Sequence, residues 1–285
     1  MGASILFDEP GPRTRWRHRL YTVLFGLVSA AVFAWVVLKL YDAGQFDPQI
    51  YEDLAQPNIW TAIGEGITAT LTAAAVGIVL AVLLGAALAV GRLSDHAVVR
   101  VPATAFVEFF RAVPLLLLLL GLFFYLSQRG VDSSAASFAA LVTGLMLYNG
   151  AVLAEVFRAG VNAVPGGQSE AAYAVGMRKT QVMSIVMMPQ AVRFMLPAII
   201  SQCVVVLKDT SLGYVIIYPE LLREGRSIAE FVNNNLITYL LIAVIYIAMN
   251  SVVAVFAIWL ERRMSQRGRT TARAVEATEA VVSQG

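Results

Sequence analysis

The chain has 285 residues, 58% of them hydrophobic and only 14% charged, with a formal net charge of +2. Soluble domains carry about 25% charged residues, so the composition points to a bilayer as solvent, and the small net charge excludes nucleic acid as a partner. One cysteine, Cys203, inside an apolar run, and two histidines, His18 and His96, exclude a disulfide framework and a Cys/His metal site.

Residues 1–18 read as a cytoplasmic segment. The basic stretch RTRWRHR (13–19) resembles the start of a signal peptide, but the run from Leu20 to Leu40 is long enough to span. It is followed by KLYDAGQFD rather than by a small-residue cleavage site. A retained first helix over 19–41 is therefore expected. An outer loop, 42–58, contains Asp42, Asp47, Glu52 and Asp53 and neither Lys nor Arg.

Five more apolar segments follow near Trp60–Val90, Ala103–Leu126, Ala136–Phe157, Ala191–Leu207 and Leu236–Leu260, a core over 59–263. The expected fold is all-α and integral to the membrane, with about six transmembrane helices, because lipid cannot satisfy open backbone groups. Arg13, Arg15, Arg17 and Arg19, then Arg92 and Arg100, then Arg158, Arg178, Lys179 and Arg193, and finally Arg262, Arg263, Arg267, Arg269 and Arg273 fall on one side, against Arg129 and a mixed loop with Lys208, Arg223 and Arg226 on the other. That bias places both ends in the cytoplasm. The tail, 264–285, is polar or small and is expected to be disordered.

The second helix carries Ala69, Ala73, Gly77, Ala81, Gly85 and Ala89 at every fourth position. Such a stripe lets helices approach closely, either inside one subunit or at a seam between subunits.

Ionisable groups within spans are costly and mark candidate sites. Glu108 and Arg111 are three apart and able to pair, with Pro114 breaking the helix after them. The fourth segment carries Asn149, Glu155 and Arg158, the last two near the cytoplasmic boundary and suited to bracing the polar stretch that follows, 162–189. The fifth ends in Lys208-Asp209-Thr210-Ser211. An ammonium group and hydroxyls at an unwound helix end suit a carboxylate ligand. Glu108, Arg111, Asn149, Lys208, Thr210 and Ser211 are the substrate-pathway candidates, against the plainer reading that these are structural ion pairs and interfacial groups.

One stretch is too polar to span: EAAYAVGMRKTQVMSIVMMP (170–189). Pro165-Gly166-Gly167 turns the chain, 168–175 suits a short helix, and Gly176 breaks it, as a left-handed cap or as a point of close backbone approach. A second short helix runs from Thr180, and Pro189 opens the next span. The result is a cytoplasmic helix–Gly–helix unit within 162–189, with an alanine knob that fits a protein groove better than lipid.

The pattern E-A-A-x3-G-x9-I-x-L-P, here Glu170, Ala171, Ala172, Gly176, Val186, Met188 and Pro189, resembles that of the permease subunits of bacterial ABC importers. Val186 for Ile and Met188 for Leu keep the apolar character. VEFFRAVPLLLLLL (107–120), AEVFRAGVNAVPGGQ (154–168), MPQAVRFMLPAIISQ (188–202) and LKDTSLGYVI (207–216) are similar to the polar amino-acid subgroup, and ILFDEPGPRTRWR resembles the start of actinobacterial glutamate permeases.

The resemblance implies a type I importer permease in a bacterial cell membrane. It implies that Glu170, Ala171, Ala172, Gly176, Arg178, Val186 and Pro189 couple to a cytoplasmic ABC ATPase dimer. It also implies a second permease subunit, with a heterodimer favoured over a homodimer, and an extracytoplasmic amino-acid-binding protein. The chain has no G-x-x-x-x-G-K-[ST] motif and no catalytic constellation. No cofactor is expected on this chain; ATP and Mg would sit on the partner ATPase. The competing reading, an ion-coupled secondary transporter, calls for inverted repeats, and none is evident.

Overall fold

The computed structural model describes residues 11–282, and every regular element among them is helical. Five helices are long and apolar enough to cross a membrane, and a bent pair makes six if counted as one span.

The first, α1 (Pro12–Asp42), starts on a proline whose missing N–H is no loss in a first turn. None of its apolar window is buried against the rest of the chain. Where a loop was expected, α2 (Pro48–Leu54) forms, because the Asp47 carboxylate accepts from the Gln49 N–H at 3.0 Å and Ile50 and Leu54 find an apolar partner layer.

The core is built by α3 (Pro57–Arg92) against α6 (Ser133–Asn162). The four-residue stripe faces α6: Ala73, Gly77, Ala81, Gly85 and Ala89 are all buried. A Cβ on Gly85 would lie 2.8 Å from Leu153 Cβ and 2.9 Å from the Gly150 carbonyl oxygen, and one on Gly150 would lie 3.0 Å from Leu84 Cδ2. The stripe is thus a packing seam within this chain, where dispersion between close backbones replaces the hydrophobic drive absent in lipid.

The third expected span, Ala103–Leu126, is not one helix. It divides into α4 (Ala97–Ala112) and α5 (Leu115–Gln128), bent by 98° at Val113-Pro114. Pro114 cannot donate to the preceding turn, and Val113 before it is pushed to an extended ψ of 126°. Leu115 and Leu119 of α5 then reach the core around Leu141, Leu145 and Val206.

The cytoplasmic unit comprises α7 (Gly166–Ala174), the single turn α8 (Lys179–Gln181) and a π-helical turn over Val182–Met187. It leads into α9 (Met188–Asp209), whose last turn tightens into a 3₁₀ helix over Thr210–Ile216. On the outer side, α10 (Leu221–Val232) is strongly amphipathic. Leu221, Gly225, Ile228, Ala229 and Val232 point inward at helical spacing. The last helix, α11 (Asn235–Val282), continues through most of the tail that was expected to be disordered. Its Ala, Arg and Glu residues favour helix intrinsically.

Candidate functional site

The cytoplasmic unit has the geometry its sequence calls for. At the end of α7, Gly176 takes φ +82°, with its N–H donating to the Tyr173 carbonyl at 2.9 Å and the Met177 N–H to that of Ala172 at 3.1 Å. This Schellman arrangement needs a left-handed residue, which glycine adopts without strain. No atom lies within 4 Å of a Cβ built there, so the backbone and not crowding within this chain demands the glycine.

The alanine knob divides in two. Ala172 turns inward beside the π-helical turn, where Val182 is fully buried, while Glu170, Ala171, Tyr173, Val175 and Ile185 are exposed. Arg178 is exposed, Val186 half-buried, and Pro189 stands exposed in the first turn of α9. An exposed apolar face framed by Glu170 and Arg178 suits a protein surface better than water.

One ionic tie anchors the unit, and a second cluster lies above it. Lys179 pairs with Asp95 in the α3–α4 turn, and its hydrogen bond and charge hold the Asp95 carboxyl below its ordinary range. Above the unit, Glu155 pairs at once with Arg92 of α3 and Arg158 of its own helix. It bridges the ends of α3 and α6 and, among the described residues, makes no ion pair with the 162–189 unit that Glu155 and Arg158 were expected to brace. Glu155→Gln is expected to leave two half-buried cations facing each other and to lower the melting temperature of the purified subunit by several degrees, from about 1–3 kcal/mol lost. A thermal scan of wild type beside the variant tests this; an unchanged midpoint would mean the bridge is only decorative.

The second feature is a groove of about 610 Å³ between the end of α9 and the α10–α11 hairpin. Lys208 and Ser211 line it with Leu222, Tyr239, Ile242, Tyr246, Asn250 and Ser251. No carboxylate is among its lining residues. Thus two of the six expected pathway residues meet here.

The other four lie elsewhere. Thr210 is buried and donates to the Leu207 carbonyl at 2.6 Å. Asn149 is buried in α6, its side-chain oxygen accepting from Gln202 at 2.6 Å and its nitrogen beside Asp209 without hydrogen-bond geometry. Glu108 and Arg111 are both exposed, and among the described residues they do not form the ion pair their spacing allows. The physical reason is that α4 buries only Val107, against Ala151 and Ala154, before the bend carries the chain away.

Sequence reading missed Glu220. Its carboxylate caps α10, accepting from the Leu222 and Arg223 N–H groups at 2.8 Å each and from the Tyr246 hydroxyl at 2.6 Å. Burial raises its carboxyl above the ordinary range, while the three donors pull the other way. A glutamate just before Leu-Leu-Arg-Glu was the available cap signal; nothing in the apolar run around Tyr246 foretold its partner.

The family model for the inner-membrane component of binding-protein-dependent transport systems matches residues 77–266. The glutamate transport system permease protein GluD of Corynebacterium glutamicum is 39% identical over 223 residues, covering 78% of this chain and 82% of its own length. The probable glutamine ABC transporter permease protein GlnP of Bacillus subtilis is 34% identical over 208 residues, covering 70% of this chain and 93% of its own. Among solved structures, an amino acid ABC transporter crystallised with histidines superposes with a TM-score of 0.68 at 30% identity, covering 74% of this chain and 97% of the other. The MetNI methionine ABC transporter, at a TM-score of 0.60 and 18% identity, shares the fold. The chain therefore belongs to the inner-membrane components of binding-protein-dependent transport systems, as a multi-pass permease subunit of an amino-acid ABC importer with the type I fold.

Proposed function

We propose that this permease carries glutamate, or a closely related polar amino acid, from an extracytoplasmic binding protein to the cytoplasm by alternating access. A cytoplasmic ATPase dimer holding ATP and Mg drives the cycle through the Glu170–Pro189 unit. The observation that carries the substrate reading is the groove itself: Lys208 and Ser211 offer a cation and a hydroxyl, and no lining carboxylate opposes an anionic ligand. A relative of 39% identity, itself a glutamate transport permease, supports the same choice.

In this mechanism Lys208 attracts the substrate carboxylate and Ser211 orients it. The exposed face formed by Ala171, Tyr173, Val175 and Ile185 seats in the ATPase. Gly176 and the inward Ala172 make the unit a rigid lever, and the Lys179–Asp95 and Glu155 ties pass its movement to α3 and α6. Such a lever biases two arrangements of packed helices, as alternating access requires. Glu108 and Arg111, exposed on a membrane-embedded helix, are covered by a second permease subunit, because lipid is a poor environment for both. A non-identical second subunit is the preferred assembly.

The test is glutamate uptake by the complex reconstituted in proteoliposomes with its ATPase and binding protein. Lys208→Met removes one charge-assisted contact and is expected to raise the KM for glutamate about 10–100-fold with the complex still assembled. A wild-type KM in this variant would remove Lys208 from the pathway. Glutamate uptake without any ATPase would overturn the importer mechanism and favour an ion-coupled carrier.

A further inference from the structure

A buried polar knot binds the groove to the outer helix α10. Glu220 and Thr70 are both fully buried. The Thr70 hydroxyl of α3 donates to the Gly66 carbonyl at 2.8 Å and accepts from the Leu221 N–H at 3.1 Å. Glu220 receives two N–H groups of α10 and the hydroxyl of Tyr246 from α11. The carboxylate thus joins α10 to α11, while Thr70 fastens α3 to the next residue, Leu221, and Glu220 has no ion-pair partner among the described residues.

A buried carboxylate is a poor choice for stability alone, since well-packed apolar residues serve as well or better. A fully satisfied network instead specifies one geometry. The packing around it is equally exacting. A Cβ on Gly66 would lie 2.9 Å from Leu221 Cα, and one on Gly225 would lie 2.6 Å from Ile242 Cγ1. So α10 rests its backbone directly on α3 and α11.

Leu222 on α10 lines the groove, and so do Ile242 and Tyr246, which α10 touches. The helix cannot shift without displacing part of the groove wall. Its other face is open: Arg226 and Glu230 are exposed, with the Arg226 guanidinium 2.8 Å from Glu230 and 2.9 Å from the Tyr214 hydroxyl. Phe231 beside them is 60% exposed.

We infer that Glu220, acting through Tyr246, is a positioning residue that transmits the docking of a protein partner on the outer face of α10 to the Lys208 groove. This rests on the importer reading, in which that partner is the amino-acid-binding protein. Glu220 itself touches no substrate; it keeps α10 and the Tyr246 wall moving as one body.

The experiment uses the complete complex in nanodiscs, with ATPase rate measured against binding-protein concentration and substrate. Variants are Tyr246→Phe, Glu220→Gln and the double substitution, each normalised to assembled complex. We expect maximal stimulation to fall roughly tenfold in each single variant, with the binding-protein concentration for half-maximal effect unchanged and the double variant no worse than the worse single. A merely structural role would lower the yield or melting temperature and leave stimulation per complex at wild-type level. Full stimulation in both single variants, or losses that multiply in the double, would overturn the link. If Glu220→Gln does not assemble, Tyr246→Phe decides, because it leaves the α10 cap intact. A wild-type complex that ignores its binding protein would sink the importer reading itself, and the link with it.

Discussion

Replacing Gly176 by valine is expected to abolish coupled uptake, whereas asparagine at the same position retains a measurable part of it. At φ +82° a side-chain-bearing residue costs about 1–2 kcal/mol, more when β-branched and less for Asn, which tolerates the left-handed region. That cost falls on a short helix whose end is held by two backbone hydrogen bonds, from Gly176 and Met177. Unseating them frees Ala172 and lets the exposed face lose its shape. The measurement is binding-protein-stimulated ATPase and glutamate uptake at equal amounts of assembled complex. Partial activity in Gly176→Asn with none in Gly176→Val places the requirement in this chain's backbone. Equal loss in both places it at a surface where the ATPase comes too close for any Cβ. Wild-type activity in both would remove the unit from the coupling mechanism.

The largest stability effect is expected at the α3–α6 seam. Gly85→Leu forces a side chain into a gap where even a Cβ would meet Leu153 Cβ at 2.8 Å and the Gly150 carbonyl oxygen at 2.9 Å. Backbone cannot yield as a flexible side chain does, so the helices separate and the subunit fails to accumulate in the membrane. Gly85→Ala, the milder change, is expected to destabilise by about 1–3 kcal/mol through overpacking. Gly121 is the control: no atom lies within 4 Å of its would-be Cβ, and Gly121→Ala gains helix propensity of about 1 kcal/mol instead. Thermal unfolding of the purified subunit, read beside membrane yield, separates the two positions. Equal midpoints for Gly85→Ala and wild type would mean that α3 and α6 slide readily at this contact.

The seam and the cytoplasmic unit were legible because each writes a local rule into consecutive residues. Small residues at every fourth position mark a helix face that must be approached closely, and the buried Ala73, Gly77 and Ala81 are that face. Glycine after an alanine-rich turn marks a left-handed cap, and Gly176 is one. Pro114 signalled a break, though not its size of 98°, which depends on what α5 finds to pack against. The groove was only half legible. Lys208 and Ser211 stood out as polar groups at the end of an apolar run, but their neighbours Tyr239, Tyr246 and Asn250 come from a helix about thirty to forty positions further on.

Composition, hydropathy and period by themselves pointed to a bundle of membrane helices with a short helix–Gly–helix unit between two of them. Those properties follow from each segment's own transfer from water to lipid and from local backbone geometry. Tertiary structure alone decided that Glu108 and Arg111 are not among the residues lining the Lys208 groove, that Asn149 is held by Gln202, and that Glu220 ties α10 to α11. In lipid, apolar faces are nearly equivalent, so which helix meets which rests on the fit of particular side chains and on polar groups seeking partners far along the chain. No run of neighbouring residues records those meetings.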